Sequence, residues 1–320
     1  MELMINMILN DMNHLVAQRK FEKFSTNVDL QIILEKDADL NLAERDLDLA
    51  KKMLDRFEII FSRFRQDSEL SKINSSIGKF HKIDRELVEV IELSLMYNKK
   101  TLGYFDPRIL SNLEEIGYDK SFHEVAKNNS PVNVQSIRKD LSEELVLDED
   151  KARFDCKMDF AGIAKGWFVD QISLFLKEKN WKNFVVDIGG DMYFAGQGLE
   201  GKWLVGMEGV KYEKMMFSLS DVAIATSGTG KRKWEREGKR FHHLIDPKDA
   251  ENFSFELKSV TVISGDAVEA DIWAKALFLM GKENGMDFAN RNAMACVMLD
   301  RRGNAFISLE IKKYIFNLDL

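Results

Sequence analysis

The stretch from Asp159 to Asp191 constrains this chain more than any other part of it. It opens Asp159-Phe160-Ala161-Gly162-Ile163-Ala164-Lys165-Gly166, runs through an amphipathic segment, and closes Val185-Val186-Asp187-Ile188-Gly189-Gly190-Asp191. The pattern predicts a strand ending at Asp159, a helix over 163–179 and a strand near 183–188. Small residues at the first junction let a second backbone or a phosphate come close. Free N–H groups at a helix start favour anions, and Lys165 adds a full charge there. The spacing fits neither a Walker loop nor a G-x-G-x-x-G fingerprint. Two readings stay open on these residues alone: a phosphate-bearing ligand, with or without a metal, or a tight turn whose small residues serve packing.

The rest of the chain predicts a mixed α/β protein without a clear interdomain seam. A strand is expected at 28–34, and amphipathic helices at 41–65 and 85–101. Later strands are expected at 202–207, 222–226, 240–245, 258–264, 295–299 and 304–309, with one long helix over 267–291. The polar segment 119–150 reads as a surface excursion with one short helix and a turn at 128–131. Residues 1–20 are taken as an N-terminal extension, 21–312 as one domain of two intimate subdomains, and 313–320 as a tail. With 320 residues, a formal charge of −7 and 45% hydrophobic residues, the chain is long enough for a large core. Its acidity gives no support for a nucleic-acid partner. No run of about 18 apolar residues would span a bilayer. No export signal is evident, so a cytoplasmic location is expected. Cys156 and Cys296 lie in no metal spacing and are expected as reduced thiols.

Three further segments carry chemistry-bearing residues. The run 270–281 is apolar nearly all round, with Asp271 and Lys275 four residues apart on one helix face. Buried charges need partners, so these two form either an internal ion pair or part of a metal or phosphate network. In Phe241-His242-His243-Leu244-Ile245-Asp246-Pro247 the two histidines point to opposite faces of an extended strand. His243, close to Asp246, is a general-base candidate, against the plainer reading of an exposed pair. Ala225-Thr226-Ser227-Gly228-Thr229-Gly230, followed by Lys231-Arg232-Lys233, suits phosphate or ribose, or else a solvated turn. Of the three prolines, Pro107 and Pro247 each follow an aspartate and fix it on a rigid turn.

In order along the chain, these residues resemble the ApbE family of FAD:protein FMN transferases. Residues 61–74, Phe-Ser-Arg-Phe-Arg-Gln-Asp-Ser-Glu-Leu-Ser-Lys-Ile-Asn, are similar to its FSRYxxxSELSxLN segment. Gly103-Tyr104-Phe105-Asp106-Pro107 resembles GxFDP. The segment 159–166 resembles DxGGIAKG, and Gly189-Gly190-Asp191 the downstream GGD. Thr226-Ser227-Gly228 resembles the ATSG strand end, 243–247 resembles HIIDP, and Ala270-Asp271 the AD of the last motif helix.

The resemblance implies an α+β, T-fold-type architecture, with mostly antiparallel sheets packed against helices. It implies FAD as substrate, Mg²⁺ at the pyrophosphate, and FMN transfer to a Thr or Ser hydroxyl of an acceptor protein with release of AMP. The implied FAD contacts are Phe24, Phe64, Tyr104, Phe105, Asp106, Asp159, Lys165, Thr226 and Ile245, with the Asp106 carboxylate open to the ligand's polar groups. His243 and Asp271 would be catalytic, and the Gly162 carbonyl and Asp271 would hold the metal. The alternatives are an FAD pyrophosphatase giving FMN and AMP, or a non-catalytic FAD-binding protein. The metal position that the family fills with threonine is Lys275 here, and a protonated amine cannot ligate Mg²⁺. Lys275 either replaces part of the cation's charge or pairs with Asp271 and weakens metal binding.

Overall fold

The structure is a computed structural model that describes residues 4–5, 14–118, 132–207, 209–210, 215–230, 233–236 and 238–317. The predicted turn at 128–131, and Lys231 and Arg232 of the basic cluster, lie outside the described residues.

Eight antiparallel strands form the central sheet: β1 (His14–Lys23), β2 (Thr26–Glu35), β3 (Phe184–Ile188), β4 (Asp191–Ala195), β5 (Val222–Gly228), β6 (Leu257–Ser264), β7 (Ala295–Asp300) and β8 (Ala305–Ile307). Their order in space follows their order in the chain, so the sheet is a meander with insertions. Side chains on a strand alternate between faces, and here both faces are buried. In β7, Cys296 and Met298 join a helical core while Ala295, Val297 and Leu299 join a second core. That second core is closed by a four-stranded sheet containing Trp203–Met207 and Met215–Leu219. Burial on both sides explains why several strands read as unbroken apolar runs.

The helical face carries α1 (Leu40–Phe61), α2 (Arg85–Lys100), α3 (Ala161–Glu178) and α4 (Ala267–Met280); α5 (Lys282–Arg291) follows α4. Asp39 caps α1 by accepting from the Leu42 N–H, and Ala43, Leu47, Ala50, Leu54, Phe57 and Phe61 form its buried stripe. Asp170 of α3 accepts hydrogen bonds from the Ala267 and Val268 N–H groups at 2.7 and 2.9 Å. It thereby satisfies donors at the start of α4 that have no partner within their own helix. The two helices touch backbone to backbone at Gly166, where an added Cβ would stand 2.5 Å from the Ala267 carbonyl oxygen. Alanine normally stabilises a helix interior over glycine by about 1 kcal/mol. Gly166→Ala is expected to do the opposite and cost about 1–3 kcal/mol, because the helices must part. Urea unfolding of the two proteins checks this.

Several boundaries differ from the sequence reading. The helix expected over 41–65 stops at Phe61, so Arg63 and Phe64 leave its buried face. The helix expected over 267–291 is two, broken at Gly281, whose φ of +80° suits glycine. The strand expected over 240–245 ends at His242, and that over 304–309 is Ala305–Ile307. The supposed extension 1–20 contains most of β1, a full member of the central sheet. The supposed tail supplies Ile315–Asn317, which pairs with Met215–Leu219. The excursion near 119–150 does contain a short helix, Leu141–Glu144, with an Asp140–Glu143 capping box. It also forms strand Leu145–Asp148 against Lys151–Phe154. Both cysteines are free. No helix among the described residues is long and apolar enough to cross a membrane.

Candidate active site

The α3–α4 crossing gathers four charged side chains. Lys165, at the start of α3, bonds Asp191 at the head of β4. Lys275 bonds Asp271 one turn earlier on α4, and also lies 3.2 Å from the Asp271 carbonyl oxygen. Both carboxylates are 1% exposed, whereas Lys165 and Lys275 keep 22% and 16% of their side chains accessible. Viewed from solvent, the cluster therefore presents ammonium groups with carboxylates beneath. Burial would raise the Asp271 carboxyl, but Lys165 and Lys275 outweigh it and hold it below the ordinary range. Asp191, pushed by burial and by Asp271, titrates at about 6. One oxygen, Asp271 Oδ2, is buried without a hydrogen-bond partner among the described residues.

These residues, as they stand, do not make a site for the implied Mg²⁺. The ion prefers near-octahedral oxygen ligation. Lys275 brings a positive nitrogen instead, and its side chain lies beside the other two implied ligand residues. Its Cδ lies 3.9 Å from where a Cβ on Gly162 would stand, while its Nζ sits on Asp271 Oδ1. The orphaned Asp271 Oδ2 is one oxygen only. Among the described residues, no group of three or more His, Cys, Asp or Glu side chains could hold a metal ion.

A second group flanks the first. Arg63, missed as a site residue by the sequence reading, makes a 3.2 Å ion pair with Asp159 and donates to the Tyr118 carbonyl at 2.9 Å. Its guanidinium lies 4.2 Å from the Phe64 ring centroid and 4.8 Å from that of Tyr118. Asp159 also accepts from the Ala161 N–H, which fixes the turn into α3. Phe64 is 47% exposed, an aromatic face offered to solvent. Phe105 lies under Gly162, its ring edge 3.3 Å from where a Cβ would stand. Tyr104 is half-buried with the Lys248 ammonium 3.7 Å from its centroid.

Other implied contacts are engaged elsewhere. The Asp106 carboxylate is not open to a ligand: it accepts from Arg108 Nε and Nη2 at 3.0 and 2.7 Å, from the Arg108 N–H, and from Asn98 at 3.1 Å. Arg108 in turn bonds Glu144 and the Lys139 and Asp140 carbonyls. Phe24, at a hairpin turn with φ +54°, stacks on Phe168 at 4.8 Å. Thr226 shares a 2.8 Å hydrogen bond with Thr261, and Gly228 lies close against the Lys258 carbonyl, so this strand end is tied into the sheet. Ile245 is buried with Leu113, Ile116 and Tyr118, and the Tyr118 ring meets Phe64 edge-on at 6.5 Å.

The two histidines differ in burial, and only His242 lies in the strand. His242 is buried, bonds the Ser254 carbonyl at 3.0 Å, and is pushed down to about 4 by burial. His243 is half-buried at the start of the turn leading to Asp246. That turn is closed by the Asp246 carboxylate, which accepts from the Lys248 N–H at 2.9 Å.

A profile of the ApbE family matches residues 24–298, most of the chain and every segment just described. The chain belongs to the ApbE family. Among its relatives, the FAD:protein FMN transferase of Haemophilus influenzae is 29% identical over 263 residues, covering 77% of this chain and 76% of that protein. The enzyme of the same name from Vibrio cholerae is 28% identical over 256 residues, covering 77% and 76%. The apo flavinyl transferase ApbE of Pseudomonas stutzeri superposes with a TM-score of 0.81 at 21% identity, covering 95% of this chain and 98% of that one. The mixed helical and mostly antiparallel ApbE fold expected from the sequence is the one observed.

Proposed function

We propose that this chain is an FAD:protein FMN transferase, moving FMN from FAD to a Thr or Ser hydroxyl of an acceptor protein and releasing AMP. The observation that carries the reading is the paired cluster at the α3–α4 crossing, where two ammonium groups stand above two buried carboxylates. A diphosphate brings two negative charges, which suit that arrangement and the positive end of α3. The ammonium groups of Lys165 and Lys275 hold the bridging diphosphate and stabilise charge as it builds on the leaving phosphate. The acceptor oxygen bonds to the FMN phosphorus, and the bond from that phosphorus to the bridging oxygen breaks. AMP leaves with that oxygen. His243 takes the hydroxyl proton. The flavin lies against Phe64, near Tyr104, and Arg63 keeps Phe64 and Asp159 in register.

Incubation with FAD and candidate acceptor proteins, followed by intact mass, tests the reading. An added FMN mass that survives denaturation is expected. AMP and free FMN without any acceptor adduct would identify a pyrophosphatase instead. FAD bound with neither product would identify a storage protein. Phe64→Ala is expected to weaken FAD binding by about tenfold through lost stacking, on the order of 1 kcal/mol, and to lower stability only by about 1 kcal/mol, from the lost Arg63 contact of a half-exposed ring. Flavin fluorescence titration beside a melting curve checks both halves.

A further inference from the structure

We infer that Lys275 takes the place of a divalent cation in this site, so that the chain binds FAD and transfers FMN without a divalent metal. The inference rests on the function proposed above and adds the source of the positive charge.

Three observations lead there. First, the Lys275 ammonium is bonded to Asp271 Oδ1, and its methylene chain runs past Gly162. Its side chain therefore lies beside both residues implied as metal ligands. Second, the charges already close. Lys165 and Lys275 balance Asp191 and Asp271, and all four are buried or mostly buried. A dication added here would face two ammonium groups at close range, each already bonded to its own carboxylate, an arrangement that costs most where water is scarce. Third, an ammonium has three donors, and Lys275 directs two of them to Asp271. The third remains for a phosphate oxygen, a role lysine fills elsewhere as a point charge. The diphosphate then meets two fixed single charges, Lys165 and Lys275, instead of one lysine and a metal.

The atom balance of the transfer is unchanged. The acceptor oxygen still displaces AMP from the FMN phosphorus, and His243 still takes the proton. Only the group that neutralises the leaving phosphate differs.

The test uses the full chain and manganese as the metal probe, because Mn²⁺ binding is read by electron paramagnetic resonance with or without turnover. Wild type in excess EDTA is expected to bind FAD within about twofold of its affinity in Mg²⁺, and to hold no stoichiometric Mn²⁺ in the presence of FAD. Lys275→Thr removes the ammonium and adds an oxygen. It is expected to bind FAD at least tenfold more weakly in EDTA, to take up one Mn²⁺ per chain with FAD, and to recover affinity as it does so. Lys275→Met, which keeps the stem and removes the charge, is expected to lose FAD affinity with or without metal, and serves if the threonine variant fails to fold. One Mn²⁺ bound by wild type as tightly as by Lys275→Thr would overturn the inference. So would FAD binding by wild type that collapses in EDTA. Neither readout depends on acceptor modification, so failure to find an FMN adduct would count against the transferase reading alone.

Discussion

Asp271→Asn is expected to lower FMN transfer by about 100- to 1000-fold while FAD still binds, the range seen when one charge-stabilising group is removed from an active site. The carboxylate is 1% exposed and anchors the Lys275 ammonium. An asparagine of the same shape keeps an oxygen for that contact but no charge. The ammonium then lacks its counter-ion and loses its fixed position. Ground-state binding should hold or tighten, because removing a negative charge beside a diphosphate favours the ligand. The loss should therefore fall on kcat rather than KM, the pattern of an interaction made mainly in the transition state. Asp271→Ala goes further, leaving Lys165 and Lys275 with one buried carboxylate between them. Breaking a buried pair costs about 3–5 kcal/mol. Steady-state kinetics with a competent acceptor, beside urea unfolding, separate the two effects. Asp271→Asn with kcat within about fivefold of wild type would remove Asp271 from the catalytic step.

How much of this site is legible in the sequence depends on the kind of residue. Asp271 and Lys275 announce themselves: two charges in an apolar helix, at a spacing that puts them on one face, must find partners. The pair is there, and it is joined to Lys165 and Asp191 across a crossing that only the three-dimensional packing at Gly166 reveals. Strand alternation puts His242 and His243 on opposite faces, but the strand ends at His242, which is buried, and His243 lies half-buried in the turn that follows. Arg63 was harder. It sits inside a recognisable segment, but its partner Asp159 is 96 residues away, and no local rule connects them. The available signal was that a buried aspartate at a helix start needs a cation. Phe64 shows why the helix boundary mattered: were α1 to continue past Phe61, the ring would join the buried stripe. Six of the eight central strands are legible as separate apolar or alternating runs, but His14–Lys23 and Asp191–Ala195 are not, and neither is the meander order, because neither propensity nor periodicity encodes which strands are neighbours. Residues 1–20 read as an N-terminal extension, yet 14–20 pair in full register with β2, and Met4–Ile5 pair with Trp203–Met207.

Asp106 carries the prediction that most separates a ligand contact from a structural one. Motif order places it in the wall of the flavin site, whereas the structure surrounds its carboxylate with Arg108 and Asn98. The side chains of Asp106 and Arg108 are 3% and 4% exposed, and Arg108 continues to Glu144 at 2.8 Å. This network ties the turn at 103–107 to the segment ending in Leu141–Glu144, and the Asp159 N–H adds a 2.7 Å bond to the Pro107 carbonyl. On the function proposed above, Asp106 acts on the flavin site by holding the backbone that carries Tyr104 and Phe105. Asp106→Ala should leave Arg108 buried with only Glu144 as a charged partner, at a cost of about 3–5 kcal/mol. Asp106→Ala and Arg108→Ala should not add: a shared buried network gives a coupling of about 1–3 kcal/mol. FAD affinity, measured well below the melting temperature where the variant is still folded, should change by less than about threefold, since no ligand contact is lost. A variant of normal stability with FAD affinity reduced a hundredfold would restore Asp106 to the ligand. The reverse pattern would mean that motif residues in this wall serve two physical ends, with Phe64 meeting the flavin and Asp106 bracing the wall behind it.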